Sequence, residues 1–252
     1  MNDFDGGWDS TATLEDGWVV RTPRRPDVHP RLLAEIRLLP WLAPRLPLAV
    51  PVPELGSSDP LIVRHRLVPG IPLESPTAEH GHALGRFLRT LHDTDVHDAT
   101  AHGLRDARDE FAEDLALFRE HVIPRLPEHA RAAGASLLNA LDTGIRDTVV
   151  HGDLGPEHIL VADGNLSGII DFGDAHAGDP AIDLSWTLHG TPPAFAEALA
   201  TAYGVTPALR ARGLLWHQLG PWYEVTRGLT TNNPTMRDTG LTAALTRLSL
   251  PT

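Results

Sequence analysis

Between Thr148 and Asp174 the chain leaves an otherwise helical pattern and writes three short β-branched runs, TVVHGD, HILVAD and SGIIDFGD, each closed by an Asp and punctuated by Gly. The triplet Asp163-Gly164-Asn165 is a hairpin turn that folds HILV back onto SGII. This places His158 and Asp171 near the ends of neighbouring strands, while Asp153 stands just past the end of the first run. Short rigid strands ending in carboxylates and an imidazole are a place to build a site, and a fold for this chain must support that island.

The patterns on either side differ from each other. Before Gly70 the reading is mixed. TATLEDGWVVRTPR reads as a hairpin with a Glu-Asp-Gly turn. Apolar spacing predicts a helix from about Pro30 to Leu39. LPLAVPVPELG reads as an extended connector or edge strand, and LIVRHRLVPG as a strand ending in a Pro-Gly turn. After Gly70 the periodicity is helical: Thr77–His92, FAEDLALFREHVIPRL, HARAAGASLLNALDTG, PPAFAEALATAYG and TGLTAALTRLSL each carry apolar residues on one face. The expectation is an α+β chain of two lobes, a small mixed lobe at 1–70 and a larger helical lobe at 71–252 that carries the hairpin, with neither internal repeat nor low-complexity linker.

Composition limits what such a chain can bind. A net charge of −12 argues against nucleic acid as the ligand and suits a cationic small molecule. No apolar run approaches the roughly 20 residues of a membrane span, and Met1 leads straight into acidic MNDFDGGWDS without a signal peptide, so the expectation is a cytoplasmic monomer or simple oligomer that uses no membrane. Cysteine is absent, which excludes disulfides and thiolate metal sites. All 21 basic residues are arginine, so any task usually given to lysine falls to arginine here.

Asp153, His158 five residues on and Asp171 eighteen residues on suit phosphoryl transfer. That chemistry needs a carboxylate to orient a hydroxyl and take its proton, and a pair of ligands to hold Mg²⁺ against nucleotide phosphates. An Asp, a metal ligand five residues later and a second Asp after a β-hairpin is the spacing of a kinase catalytic loop.

With those residues in view, HGDLGPEHIL followed by GIIDFGDAHAGDPAIDLSW resembles the aminoglycoside phosphotransferase family, antibiotic kinases related to protein kinases. The resemblance is dense over about 40 residues, and GRFLRTLH and WVVRTP extend it more loosely. It implies a protein-kinase-like fold and ATP or GTP as co-substrate with Mg²⁺. It makes Asp153 the catalytic base, and Asp171 and His158 the metal ligands. His158 stands where the usual member has Asn, as in the macrolide phosphotransferase branch. On the nucleotide side the resemblance implies Arg21 in the usual lysine position with Glu35 as its helix partner, Gly6–Ala12 with Ser10 as the turn over the phosphates, and a nucleobase contact near Arg66 and Leu67. It also implies a first strand ahead of that turn, for which only NDFD is available.

The acceptor would meet carboxylates of the helical lobe: Glu110 and Asp114, with Asp109 and Glu113 beside them on the same stretch, then Asp174 and Glu224. These suit a cationic antibiotic, an aminoglycoside first and a macrolide second. Trp216, Trp222 and Tyr223 are core residues or the lining of an apolar pocket. His151 is expected to shape the loop, and Asp179 and Asp183 to cap a helix or pin that loop. Two further readings stand beside this one: a metabolic kinase acting on a sugar, amino alcohol or choline-like acceptor, and a catalytically weak nucleotide-binding homologue.

Overall fold

A computed structural model describes residues 9–142 and 144–250. The chain begins with strands β1 (Ser10–Glu15) and β2 (Trp18–Pro23), helix α1 (His29–Leu42), and strands β3 (Glu54–Ser58) and β4 (Leu61–Arg66). The strands form one antiparallel sheet in the order β1-β2-β4-β3. The β1–β2 turn places Asp16 and Gly17 both at positive φ, the backbone that matches the twist of a tight hairpin. Val28 and Leu32 fix α1 on the sheet by packing against Leu61 and Val63. The expected helix is there and runs one turn further, through Pro40. The expected turn over the phosphates at Gly6–Ala12, and the NDFD segment before it, fall largely outside the described residues; Ser10 opens β1 and is buried.

The connector after α1 is extended as expected. Ala49 accepts a hydrogen bond from Ile169 N–H, and the edge strand begins at Glu54. Beyond β4 come β5 (Ile71–Pro72), α2 (Ala78–His92), α3 (Val96–Ala101), β6 (Arg105–Asp106), α4 (Arg108–Leu117) and α5 (Glu128–Leu141). FAEDLALFREHVIPRL is not one helix: α4 gives way to a wide turn at Phe118–Val122 and a tight one at Ile123–Arg125, where Pro124 can donate no backbone hydrogen bond. Then follow β7 (Thr148–Val150), β8 (Ile159–Ala162), β9 (Asn165–Ile169) and β10 (His176–Gly178), and helices α6 (Ala181–His189), α7 (Pro193–Tyr203), α8 (Pro207–Thr230) and α9 (Pro234–Leu248). The fold is mixed α+β, a small antiparallel sheet followed by a mostly helical remainder. No described helix is long and apolar enough to cross a membrane.

Two features of the remainder position the site. Helix α2 starts with a capping box between Thr77 and His80, and His80 Nε2 meets the Gly164 carbonyl at 3.0 Å, tying the β8–β9 turn to the helix. Gly81 and Gly85 let α2 lie directly on α7, where any Cβ would strike the Phe195 and Leu199 carbonyls. The main core runs from Leu38, Leu39 and Leu42 of α1 through α2 and α7 to Ile159, Ile169 and Phe172, so the strands of the island are anchored from both sides. A second core gathers Phe118, Leu137, Trp216 and Trp222 between α5 and α8.

Candidate active site

Three segments converge on one cleft. Asp153 follows β7, His158 precedes β8, and Asp171 follows β9. His158 Nδ1 lies 2.7 Å from the Asp153 carbonyl, an acceptor, so that nitrogen carries the proton. The lone pair is left on Nε2, which faces Asp171 Oδ2 at 3.6 Å. Asp171 itself has φ +65°, a left-handed backbone that a non-glycine residue adopts at a cost of order 1–3 kcal/mol. Ile170 N–H donates to the His158 carbonyl, which fixes the spacing between the two side chains.

The backbone of this loop is held by buried acids and imidazoles. Asp183 at the start of α6, 1 % exposed, accepts from His151 N–H (2.8 Å) and Gly152 N–H (2.9 Å), and its Oδ2 is 3.0 Å from His92 Nε2. His92 in turn meets the Tyr203 hydroxyl at 2.8 Å. His151 is fully buried; its Nε2 donates to the Ile170 carbonyl at 2.9 Å and its Nδ1 accepts from Asp153 N–H at 3.3 Å. One imidazole thus joins the segment bearing Asp153 to the segment bearing Asp171. Gly152 has φ +87° and touches the Asp174 carbonyl where a Cβ would be, so no other residue fits this loop. Asp179 caps α6 through Ala181 N–H (3.0 Å) and takes Trp216 Nε1–H (2.8 Å) and Arg212 Nε on its other oxygen.

The charges of the two carboxylates, Asp153 and Asp171, are tuned apart. Partial desolvation, for a side chain still 63 % exposed, pushes the Asp153 carboxyl above its ordinary range; His158 pulls it down, while Asp174 and Asp171 push it further up. Desolvation acts the same way on Asp171, but Arg21, His158 and His151 outweigh it, and that carboxyl lies below its ordinary range.

Facing them from the small sheet, Arg21 on β2 bonds Glu35 on α1 at 2.7 Å, with side chains 15 % and 3 % exposed. Burial opposes the charge on Arg21, and Glu35 and Asp171 more than offset it, raising its pKa. Glu35 Oε1 and Ser10 Oγ are buried with no hydrogen-bond partner among the described residues, the signature of a place shaped for a further polar group. At the connector, Leu67 N–H donates to the Gly17 carbonyl (3.0 Å), the Arg66 carbonyl meets His65 Nδ1 (2.9 Å), and the Arg66 guanidinium stacks on Trp18, 4.0 Å from the ring centre. The Leu67 N–H and the Arg66 carbonyl, two of the backbone groups in the stretch expected to read a base, thus have partners within the protein, and Arg66 still pairs in the β4 ladder.

The acceptor-side acids sort into three groups. Asp174 and Glu110 come together on Arg31 of α1, at 2.5 and 3.1 Å, and Glu110 also pairs with Arg105. Asp114 of α4 shares a hydrogen bond with the Tyr223 hydroxyl. Burial, aided by Glu110 and Glu113, pushes Asp114 up to about 6 against the pull of that bond and of Arg31. Burial and then Asp114, Asp174 and Asp153 raise the Tyr223 pKa. Glu224, the next residue of α8, lies on the side turned to α9, against Gly240 and in the field of Arg247, and the structure does not bring it to the cluster. Trp216 and Trp222 are core, 8 % and 0 % exposed. Sequence reasoning missed Arg31 and His92; only the His at the end of GRFLRTLH carried a signal.

Among the described residues no three His, Asp or Glu side chains converge as a closed metal cage. His158 Nε2 and Asp171 Oδ2, 3.6 Å apart, are two groups that could hold Mg²⁺, an ion that keeps waters and takes phosphate oxygens for the remainder.

The sequence profile of the phosphotransferase enzyme family matches residues 2–216. The chain belongs to this family. Among curated proteins the chain is 28 % identical over 194 residues to the uncharacterized protein YcbJ of Bacillus subtilis. It is 32 % identical over 147 residues to viomycin phosphotransferase of Streptomyces vinaceus, and 33 % over 124 residues to a homoserine kinase of Methylobacterium nodulans. The matches take up 66 %, 52 % and 46 % of the chain, and 61 %, 50 % and 38 % of those relatives, so the chain matches about two fifths to three fifths of their length. Among solved structures, the GDP and kanamycin complex of an aminoglycoside phosphotransferase superposes with a TM-score of 0.83 at 23 % identity, over 98 % of this chain and 92 % of that one. A macrolide 2′-phosphotransferase from Brachybacterium faecium gives 0.73 at 26 % identity, over 99 % and 91 %. Both support the fold.

Proposed function

We propose that the protein transfers the γ-phosphate of ATP or GTP to a hydroxyl of a small molecule, with residues 1–70 holding the nucleotide and residues 71–252 supplying the base and the acceptor site. The observation that carries this reading is the convergence of Asp153, His158 Nε2 and Asp171 on one cleft, with the buried Arg21–Glu35 pair opposite.

Each residue then has a task set by its surroundings. Asp153 hydrogen-bonds the acceptor hydroxyl and takes its proton as the oxygen attacks. Its side chain is 63 % exposed, open to an incoming acceptor, and its raised pKa makes it a stronger base. Mg²⁺ held by Asp171 and His158 would neutralise phosphate charge when bound. Arg21, kept charged and fixed by Glu35, clamps the phosphates that do not transfer, using a planar fork where related kinases use an ammonium. Ser10 Oγ, buried and without a hydrogen-bond partner among the described residues, donates to the same phosphates. Val68 follows the engaged Leu67, and its N–H makes no backbone hydrogen bond among the described residues, so we place the nucleobase contact there rather than at Arg66 or Leu67. A reaction fed by ATP or GTP belongs in the cytoplasm.

The acceptor we favour is a cationic antibiotic, an aminoglycoside before a macrolide, because Asp114, Asp174 and Glu110 offer carboxylates on the acceptor side. One observation supports a second reading. Arg31 already occupies Asp174 and Glu110, which leaves room for a smaller acceptor such as an amino alcohol, in keeping with the homoserine kinase relative. The test is direct. The full chain is incubated with Mg²⁺ and either ATP or GTP and offered kanamycin, viomycin, a macrolide, homoserine and choline, and phosphorylated product is sought by mass spectrometry. Product from an antibiotic upholds the first reading and product from homoserine or choline alone upholds the second. Nucleotide binding with no product from any of them leaves a catalytically weak homologue.

A further inference from the structure

We propose that Arg31 is a positioning residue that couples the acceptor-side carboxylates to the phosphate-holding pair Arg21–Glu35. The proposal rests on the nucleotide reading above.

Arg31 lies one helical turn before Glu35 on α1, so the two side chains leave the same face of one rigid rod. Glu35 points inward to Arg21. Arg31 points to the cleft mouth and meets three carboxylates from three separate segments: Asp174 at 2.5 Å, Glu110 at 3.1 Å and Asp9 at 3.6 Å. Asp174 stands three residues past Asp171, Glu110 is on α4 beside the acceptor cleft, and Asp9 immediately precedes the buried Ser10. One guanidinium therefore ties α1 to the metal-side segment, to the acceptor wall and to the start of the phosphate strand.

The helix is packed tightly enough to transmit a displacement. Leu32 on the intervening turn is fully buried against the small sheet, and Leu38, Leu39 and Leu42 further along are locked in the main core. A shift at Arg31 therefore moves Glu35, and through it Arg21, instead of dissipating along α1. A cationic acceptor is attracted to the same Asp174 and Glu110 that Arg31 holds. Acceptor charge and phosphate clamp are thus linked through one side chain, and linkage of this kind acts equally in both directions.

Asp174 gives the discriminating test. It is an anion beside a site for anionic phosphates, so by simple charge its removal tightens nucleotide binding. Coupling through Arg31 demands the opposite. The dissociation constants of MgADP and MgGDP are measured by calorimetry for wild type, Arg31→Gln, Asp174→Asn, the double variant and Arg31→Lys, each confirmed folded by circular dichroism. We expect either single neutralisation to weaken nucleotide binding about fivefold or more. The double variant should be no weaker than the worse single, and Arg31→Lys should recover part of the loss, since an ammonium can serve one carboxylate at a time. Glu110→Gln repeats the cycle should Asp174→Asn not fold. An unchanged or tighter constant in Asp174→Asn, or additive losses, overturns the role of Arg31. A wild type that binds neither nucleotide overturns the nucleotide reading and this proposal with it.

Discussion

Replacing Asp183 by Asn tests whether the loop that carries Asp153 is held as the structure describes. The carboxylate serves three donors with two oxygens: Oδ1 takes Gly152 N–H, and Oδ2 takes His151 N–H and His92 Nε2–H. An amide supplies one acceptor, and the less costly orientation turns its NH₂ toward Gly152. A buried unsatisfied N–H costs about 1–3 kcal/mol, and the two remaining bonds fall from charge-assisted to neutral strength at about 1 kcal/mol each. Part of this is offset because a buried charge no longer has to be desolvated. The net expectation is a loss of about 3 kcal/mol, or about 6–12 °C in Tm for a chain of this size. The pH dependence has a definite sign. Burial raises the Asp183 carboxyl, but its hydrogen bond to His92 and the fields of His92 and His151 outweigh burial and hold it below the ordinary range. Its contribution is therefore complete above the unfolded value of about 3.9 and is lost as pH falls through the lower folded value. Urea unfolding should show a constant gap between wild type and Asp183→Asn from pH 8 to 5 that closes below about pH 4. A gap under 0.5 kcal/mol at pH 7, on the scale of an ordinary surface substitution, would refute the assignment of Asp183 as the anchor of the loop.

Two further outcomes follow from the same geometry. Arg21→Ala strands Glu35 as a buried charge and should cost about 3–5 kcal/mol in denaturant unfolding together with nucleotide affinity; adding Glu35→Leu should recover stability but not affinity, and recovery of both would remove Arg21 from the phosphate site. His158→Asn should keep Mg²⁺-dependent nucleotide binding, because an amide oxygen can stand in for the imidazole at the ion, while His158→Ala should weaken it; calorimetry showing His158→Ala unchanged would make His158 structural.

What the sequence disclosed follows from how local each signal is. The β8–β9 hairpin was legible because Asp163-Gly164 demands positive φ at both turn positions, and the structure has 50° and 75° there. Arg21 and Glu35 were reached as a pair only through the family resemblance, which sets a basic strand residue against a helix Glu, and the structure has them 2.7 Å apart. Helix α8 was not, since Gly213, Gly220 and Pro221 interrupt its pattern; packing of Trp216, Leu219 and Trp222 into the second core overrides those propensities. The break in α4 was hidden because the wide turn at Phe118–Val122 keeps both residues buried and so preserves the apolar rhythm. Arg31 was invisible for a different reason. Its partners lie 79 and 143 residues away, and no local pattern announces an ion pair between distant segments. Glu224 shows the converse, a carboxylate in a suitable stretch whose helical phase turns it to α9 while Tyr223 meets Asp114.

The central claim is that Asp153 acts on the acceptor hydroxyl and not on the nucleotide. The measurement that tests it most directly is single-turnover phosphate transfer by Asp153→Asn, on the acceptor found in the panel, alongside calorimetry of Mg-nucleotide binding to the same sample. The account predicts transfer slowed by about 10²–10⁴-fold, the range for loss of a positioned base, with nucleotide affinity within about threefold of wild type. Near-normal transfer, or a loss of nucleotide binding that accounts for the slowing, would contradict it.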